Sequence, residues 1–410
     1  VSQKAAYTLL TPEAVRERSH DLLRLGLAGQ LGDWIVDPDR LPAAADLVAE
    51  VVRVNYPSLD IPFHARWRHF AVGGRDRWGA LRREARFPDA AAAARAAFDL
   101  AILSVLLDAG AGSDWRYREA ATGAVLARSE GLAVASLDGF AAGGFAADGA
   151  SPRADAARLG RITAAELARM MQAGPGNPLV GLEGRAALLR RLGETVAAAP
   201  HIFARQDEPR PGGLFDLLAE EAAAMGGVLP ARSILIALLR NLGPIWPGRE
   251  SLAGVNLGDC WRHPGIRRPD ATEGLIPFHK LSQWLAYSLI EPLEEAGIRV
   301  EGVDALTGLP EYRNGGLFMD MEVIRLKDPA AAAQPHEVGS RLVVEWRALT
   351  VALLDRIAPL VRERLGLAPE AMPLAKVLEG GTWAAGRRLA RERRADGGPP
   401  LHVVSDGTVF

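Results

Sequence analysis

The chain has little of several things, and each shortage excludes something. Among 410 residues there is one cysteine, Cys260. That leaves no disulfide framework and no cysteine-rich zinc site, and it fits a reducing compartment. No stretch reaches the roughly 18 consecutive apolar residues of a membrane span. The first residues lack the basic-then-apolar pattern of a secretory signal, so a cytoplasmic protein with no membrane partner is expected. Charge of one sign is also lacking. Forty-eight Lys and Arg balance 50 Asp and Glu, for a formal charge of −2, which argues against bulk binding of nucleic acid. The eight histidines are scattered without paired ligand spacing, so no metal site is expected. No P-loop, HExxH or GxSxG is present.

What is there is an ordinary globular balance, 49% apolar and 24% charged, which excludes disorder. Alanine and leucine dominate and β-branched clusters are few, so a mainly α protein is expected, a bundle-like helical scaffold with a few short β-strands. The helices expected are 12–29, with Thr11 as N-cap and Pro12 in the first turn, and 90–107, 181–198, 280–296 and 342–365. Strands are expected at 53–56, 66–72, 318–326 and 401–404. Glycine-rich breaks at 139–156 and 173–178 suggest an N-terminal region 1–170 and a C-terminal region 171–410, or one integrated domain containing a long loop.

Polar residues within aromatic segments punctuated by Gly and Pro are the candidates for a site. If 63–70 is extended, His64, Arg66 and Arg68 share one face. They form either an anion clamp or a solvated strand edge. Arg205 or Asp207 faces a ligand or a surface turn. Asp259 lies between Gly258 and Cys260, where small neighbours let a carboxylate be recessed and tuned, or it is a cap. Cys260 reads as a buried filler. His279 and Lys280 open a helix, where the dipole disfavours cations unless an anion sits there. Asn314-Gly315-Gly316 reads as a hairpin turn with Arg313 beside it and Asp320 on the following strand. Arg341 and Glu345 stand four apart on one helix face, as a surface pair or as a core-facing Glu beside Trp346. Glu379-Gly380-Gly381-Thr382-Trp383 and Ser405-Asp406-Gly407 put acids beside glycines that would permit a close backbone approach to a ligand.

Six segments together, YPSLDIPFHARWRHF (56–70), LLDAGAGSDWRYRE (106–119), RPGGLFDLL (210–218), IPFHKLSQWLAYSLIEPLEEAGI (276–298), LTGLPEYRNGGLFMD (306–320) and LEGGTWAAGRRLARE (378–392), resemble the uracil-catabolism "protein four" family of the URC pathway, long catalogued as a domain of unknown function. The order of segments also resembles, more distantly, the queuosine-salvage nucleotide N-glycosylases, helical proteins related in shape to DNA glycosylases. The matching segments are 97–110, 178–185, Gly258-Asp259-Cys260-Trp261, Glu345-Trp346-Arg347 and Glu379 with Trp383. The chain departs from that pattern at Phe278, where the relatives have an acid, and at Glu379, where they have Asp.

The resemblance implies a helical fold like that of those glycosylases and a step in pyrimidine breakdown after ring opening. The expected activity is hydrolysis of a phosphoribosyl-urea to ribose 5-phosphate and urea, on a small-molecule substrate and without a cofactor. Asp259 and Glu379 would stabilise the ribosyl cation or activate water, with Glu345 as the second acid or the ribose ligand. Arg66, Arg68, Lys280 and Arg313 would meet the phosphate, with His64, His279 and Arg341 near the substrate and Trp261 and Trp383 as walls. The alternatives are a non-catalytic binding or regulatory protein for a uracil-pathway nucleotide, and an amidohydrolase acting on the ureide. Oligomeric state is open.

Overall fold

A computed structural model describes residues 3–108, 110–206 and 208–404. The protein is mainly α, with only short strands. No helix among the described residues is long and apolar enough to cross a membrane. The chain divides into two compact units. The first comprises Val1–His64, Gly248–Gln283 and Gly302–Phe410, and the second Ala65–Pro247 and Trp284–Glu301. Position 170, taken above as a boundary, falls inside the second unit.

The first unit is organised around the helix Arg341–Leu365. Ser340 caps its start, accepting from the Val343 N–H, and Gly366 ends it at φ 67°, a left-handed conformation that favours glycine. Its buried side chains run round most of the helix, from Leu342 to Val361, so it serves as a core rather than as a surface helix. Pro12–Leu27, Leu41–Asn55 and Tyr312–Asp320 pack on it, and Trp383–Arg393 packs on Tyr312–Asp320. Thr11 caps Pro12–Leu27, accepting from the Ala14 N–H, as expected. Trp34 and Trp346 stack with centroids 6.4 Å apart, and the Trp34 indole donates to the Leu342 carbonyl. The strands are two or three residues long. Trp34–Val36 pairs antiparallel with Ile324–Leu326, Cys260–Arg262 antiparallel with Leu275–Pro277, and His336–Glu337 parallel with Val403–Val404.

Several expected strands are helices. Residues 53–55 are the last turn of Leu41–Asn55. Residues 66–70 form the helix Arg66–Phe70. Four to seven residues of apparent alternation carry too little periodicity to outweigh what the neighbours demand. The Asn314-Gly315-Gly316 turn lies inside the helix Tyr312–Asp320. Glu311 caps that helix, accepting from the Arg313 and Asn314 N–H groups. Gly315 is needed there for room: a Cβ would lie 2.7 Å from the Trp346 ring, whose N–H donates to the Gly315 carbonyl. The strand expected at 318–326 survives only as Ile324–Leu326.

One polar anchor ties this unit together. Asp259 takes both Arg347 Nη groups at 2.8 Å, the Trp261 indole N–H at 2.7 Å and the Lys280 backbone N–H at 3.0 Å. It thereby joins the short strand 260–262, the core helix and the start of the helix Lys280–Glu295. Burial alone would raise the Asp259 pKa, but the Arg347 charge and the four donors hold it well below the usual carboxylate range. The anion that the cationic helix start called for is therefore the protein's own carboxylate.

The second unit packs Ala90–Leu106, almost wholly buried, against Arg128–Ala141, Leu214–Ala224 and the turn Pro211–Gly213. Its polar counterpart is Asp99, fully buried, which accepts from Arg210 and from the Gly212 and Ala154 N–H groups. Val228–Pro230 pairs parallel with Arg299–Glu301.

Two stability predictions follow from this packing. Asp259→Asn strands the guanidinium of Arg347, which is 1% exposed, and is expected to cost about 3–5 kcal/mol by urea unfolding. The double variant Asp259→Asn/Arg347→Met should recover more than half of that loss. Because the folded-state pKa of Asp259 is depressed, its contribution is present above the ordinary carboxylate range and lost as pH falls below it. Gly315→Ala should cost about 1–3 kcal/mol through overpacking against Trp346, read as a lowered unfolding midpoint.

Candidate active site

The first unit gathers a second polar cluster. His64 follows Pro62 and Phe63, and its backbone N–H donates to the Ala375 carbonyl. That bond sets the residue beside the π-helical turn Leu378–Thr382, a kind of irregularity common at functional sites. Gly380 and Gly381 let this turn lie close on neighbouring side chains: a Cβ at 381 would sit 2.5 Å from Val48 Cγ1, and one at 380 would sit 3.1 Å from Ile61 Cγ2. The room expected there for a ligand is instead taken up by side chains of the helix Leu41–Asn55 and of the loop that follows it. The turn aims Glu379 at His64.

The His64 Nδ1–H donates to Glu379 Oε2 at 2.6 Å, and the Tyr56 hydroxyl donates to Oε1 at 3.4 Å. A carboxylate only accepts, so the proton sits on Nδ1 and Nε2 is the basic nitrogen of the neutral ring. The Trp383 ring lies 6.1 Å from the imidazole, tilted by 42°. Glu311 belongs to the same neighbourhood. Burial raises its pKa, while the Arg313 and Asn314 N–H groups, the Lys280 charge and the charge His64 carries when protonated act to lower it. A carboxyl group that is protonated more readily than usual therefore stands near an imidazole–carboxylate pair. Sequence reasoning passed over Glu311 within 309–320; the signal available was an acid directly after Pro310 at a helix start.

The other candidates are placed as follows. Asp259 spends its lone pairs on four donors and is a poor base. Glu345, 1% exposed, accepts from the Gly32 and Asp33 N–H groups and pairs with His263, so it braces a loop and does not open toward a ribose. Arg341 pairs with Asp33 beside it and does not meet Glu345 as an i,i+4 pair. Arg66 is fully buried, bound to Ser104 and Asp108, and Arg68 grips Glu291 with both carboxylate oxygens. These two lie in the second unit and His64 in the first, and no strand face carries the three together. Arg313 donates to the Gly397 carbonyl and lies against Tyr312. Trp261 serves Asp259 and carries Arg249 over its ring. His279 is buried and donates to the Leu9 carbonyl, and burial lowers its pKa. Its φ of 50° marks the sharp entry into the helix.

Phe278, where an acid was expected by resemblance, supports the Arg347 guanidinium 4.3 Å from its ring centroid, an apolar platform for a cation already paired. Cys260 is buried with its thiol pKa pushed up by burial, the filler expected. Arg205 pairs with Glu220. Asp207 and the Ser405-Asp406-Gly407 segment lie outside the described residues. Among the described residues no group of three or more His, Cys, Asp or Glu is arranged to hold a metal ion.

Comparison with known proteins agrees with the segments singled out in the sequence. A family model described as "Protein of unknown function (DUF1688)" matches residues 8–410. The protein named Protein urg3 of Schizosaccharomyces pombe is 36% identical over 424 residues, covering 100% of both chains. Uracil catabolism protein 4 of Lachancea kluyveri is 35% identical over 418 residues, covering 93% of each. Matched over nearly its whole length, the chain belongs to the DUF1688 family, which it shares in sequence with these fungal proteins.

Proposed function

We propose that this protein acts in uracil catabolism as an N-glycosidase, splitting a phosphoribosyl-urea into ribose 5-phosphate and urea. The pathway rests on the relative named for uracil catabolism. The reaction rests on one observation: an imidazole–carboxylate pair, His64 and Glu379, in the same neighbourhood as a carboxyl group whose pKa burial raises, Glu311.

The chemistry needs two proton transfers. The bond between ribose C1 and the urea nitrogen breaks with its electron pair going to nitrogen, and Glu311 in its acid form delivers the proton that nitrogen takes up. Water forms the new bond to C1, and His64 Nε2 accepts the proton that the water gives up. Glu379 holds the ring in that tautomer and offsets the charge that forms on it. The proton on His64 then returns to Glu311 through solvent, restoring both groups. Asp259 and Arg347 hold the start of the helix that carries Lys280, and so act through position.

This division of labour differs from the one expected from sequence, in which Asp259 and Glu379 carried the chemistry directly. A carboxylate already holding four donors has little left to offer water, whereas the imidazole beside Glu379 has a basic nitrogen.

Urea release from ribosylurea 5′-phosphate tests the assignment. Glu311→Gln keeps one of the two acceptors of the helix cap and loses the acid, so kcat should fall by about 10²–10⁴-fold, while the lost cap bond lowers stability by only about 0.5–1.5 kcal/mol. In the wild type, the rate should decline as pH rises through the raised Glu311 pKa, and that limb should be absent in the variant. His64→Gln should lose as much, and Glu379→Gln less. Wild-type turnover in both Glu311→Gln and His64→Gln would remove the basis of this reading.

A further inference from the structure

A cleft of about 570 Å³ opens in the first unit beside Glu379. Tyr56 and Glu379 line one part, Val54 and Trp383 give it an apolar wall, and Arg387 and Arg391 face it from the helix Trp383–Arg393. The two arginines are four residues apart and therefore share one helix face. Arg387 lies 5.3 Å from the centroid of the Trp383 ring, and this stacking fixes its guanidinium plane. Among the described residues no carboxylate is paired with Arg391. Arg388, on the same helix and also lining the cleft, is held between Glu50 and Glu392. Val54 is 70% exposed, an apolar side chain left uncovered in the cleft that the two arginines also line.

We propose that Arg387 and Arg391 form a subsite for the phosphate of a sugar phosphate monoester, with the sugar lying along Trp383 and its far end toward Glu379. Guanidinium forks match phosphate oxygens in geometry and charge, an indole face suits the C–H face of a sugar, and Val54 closes the apolar side. The chain order fits the same direction. The turn Leu378–Thr382 that carries Glu379 runs directly into the helix that carries Arg387 and Arg391, so acid and cations follow one another along one stretch of chain. Arg66, Arg68 and Arg313 are each held by other groups, whereas Arg387 and Arg391 line the same cleft as Glu379. The proposal rests on the glycosidase reading for which sugar is bound, and on the cleft alone for the binding of phosphate.

The test is calorimetric titration of the whole protein with ribose 5-phosphate, inorganic phosphate and ribose. The wild type should bind ribose 5-phosphate at least tenfold more tightly than ribose, with affinity falling as salt rises. Arg387→Gln/Arg391→Gln should lose at least tenfold for ribose 5-phosphate while keeping its unfolding midpoint, and Arg388→Gln should bind within twofold of wild type. Equal affinity in the double variant and the wild type, or no preference for ribose 5-phosphate over ribose, would overturn the subsite. Phosphate-dependent binding with no urea release would leave the subsite standing and remove the glycosidase. Urea release with KM unchanged in the double variant would do the reverse.

Discussion

The bidentate pair between Asp259 and Arg347 is the constraint on which the first unit depends. Neither partner can be removed alone without leaving a charge or several donors uncompensated in a covered place. Through it the core helix Arg341–Leu365 is fixed to the strand Cys260–Arg262 and to the first turn of Lys280–Glu295. That first turn carries Lys280, whose charge bears on Glu311. The stacking of Trp34 on Trp346 and the seat of Gly315 against the same indole then fix Tyr312–Asp320, the helix that Glu311 caps. The proposed acid is thus reached from the anchor in two steps of packing.

The long helices were legible in the sequence because their signals are redundant. Pro12–Leu27 has a capping Thr11 and a first-turn proline, and Arg341–Leu365 has several turns of apolar side chains and a closing glycine. The short segments were not legible. At 63–70, alternation and helix predict different faces for Arg66, and what decides between them is a buried ion pair with Asp108, a partner 42 residues away that no local pattern reveals. At 314–316 the glycines read as a turn because their other use, making room for an indole, depends on Trp346.

The site was legible in part and for a related reason. Residue types pointed to Asp259, Glu345 and Glu379 alike, as acids next to tryptophans or glycines. What separates them is how many donors each has already accepted. Asp259 is filled by Arg347, Trp261 and Lys280, and Glu345 by two backbone N–H groups with His263 beside it. Glu379 has His64 and a long contact from Tyr56. Saturation of a carboxylate is a property of tertiary structure, so sequence alone could rank these acids only by neighbourhood. Glu311 went unnoticed because 314–316 reads as a turn, which hides the helix that Glu311 caps, and because its raised pKa comes from burial, which no local pattern reveals.

The central claim is that water attacks the ribose carbon and leaves the urea carbonyl untouched. Turnover of ribosylurea 5′-phosphate in ¹⁸O-labelled water, sampled at early times by mass spectrometry, reads this directly. The account predicts urea free of label and ribose 5-phosphate carrying the heavy oxygen. Label in the carbonyl-derived product would mean attack on the ureide and would contradict it.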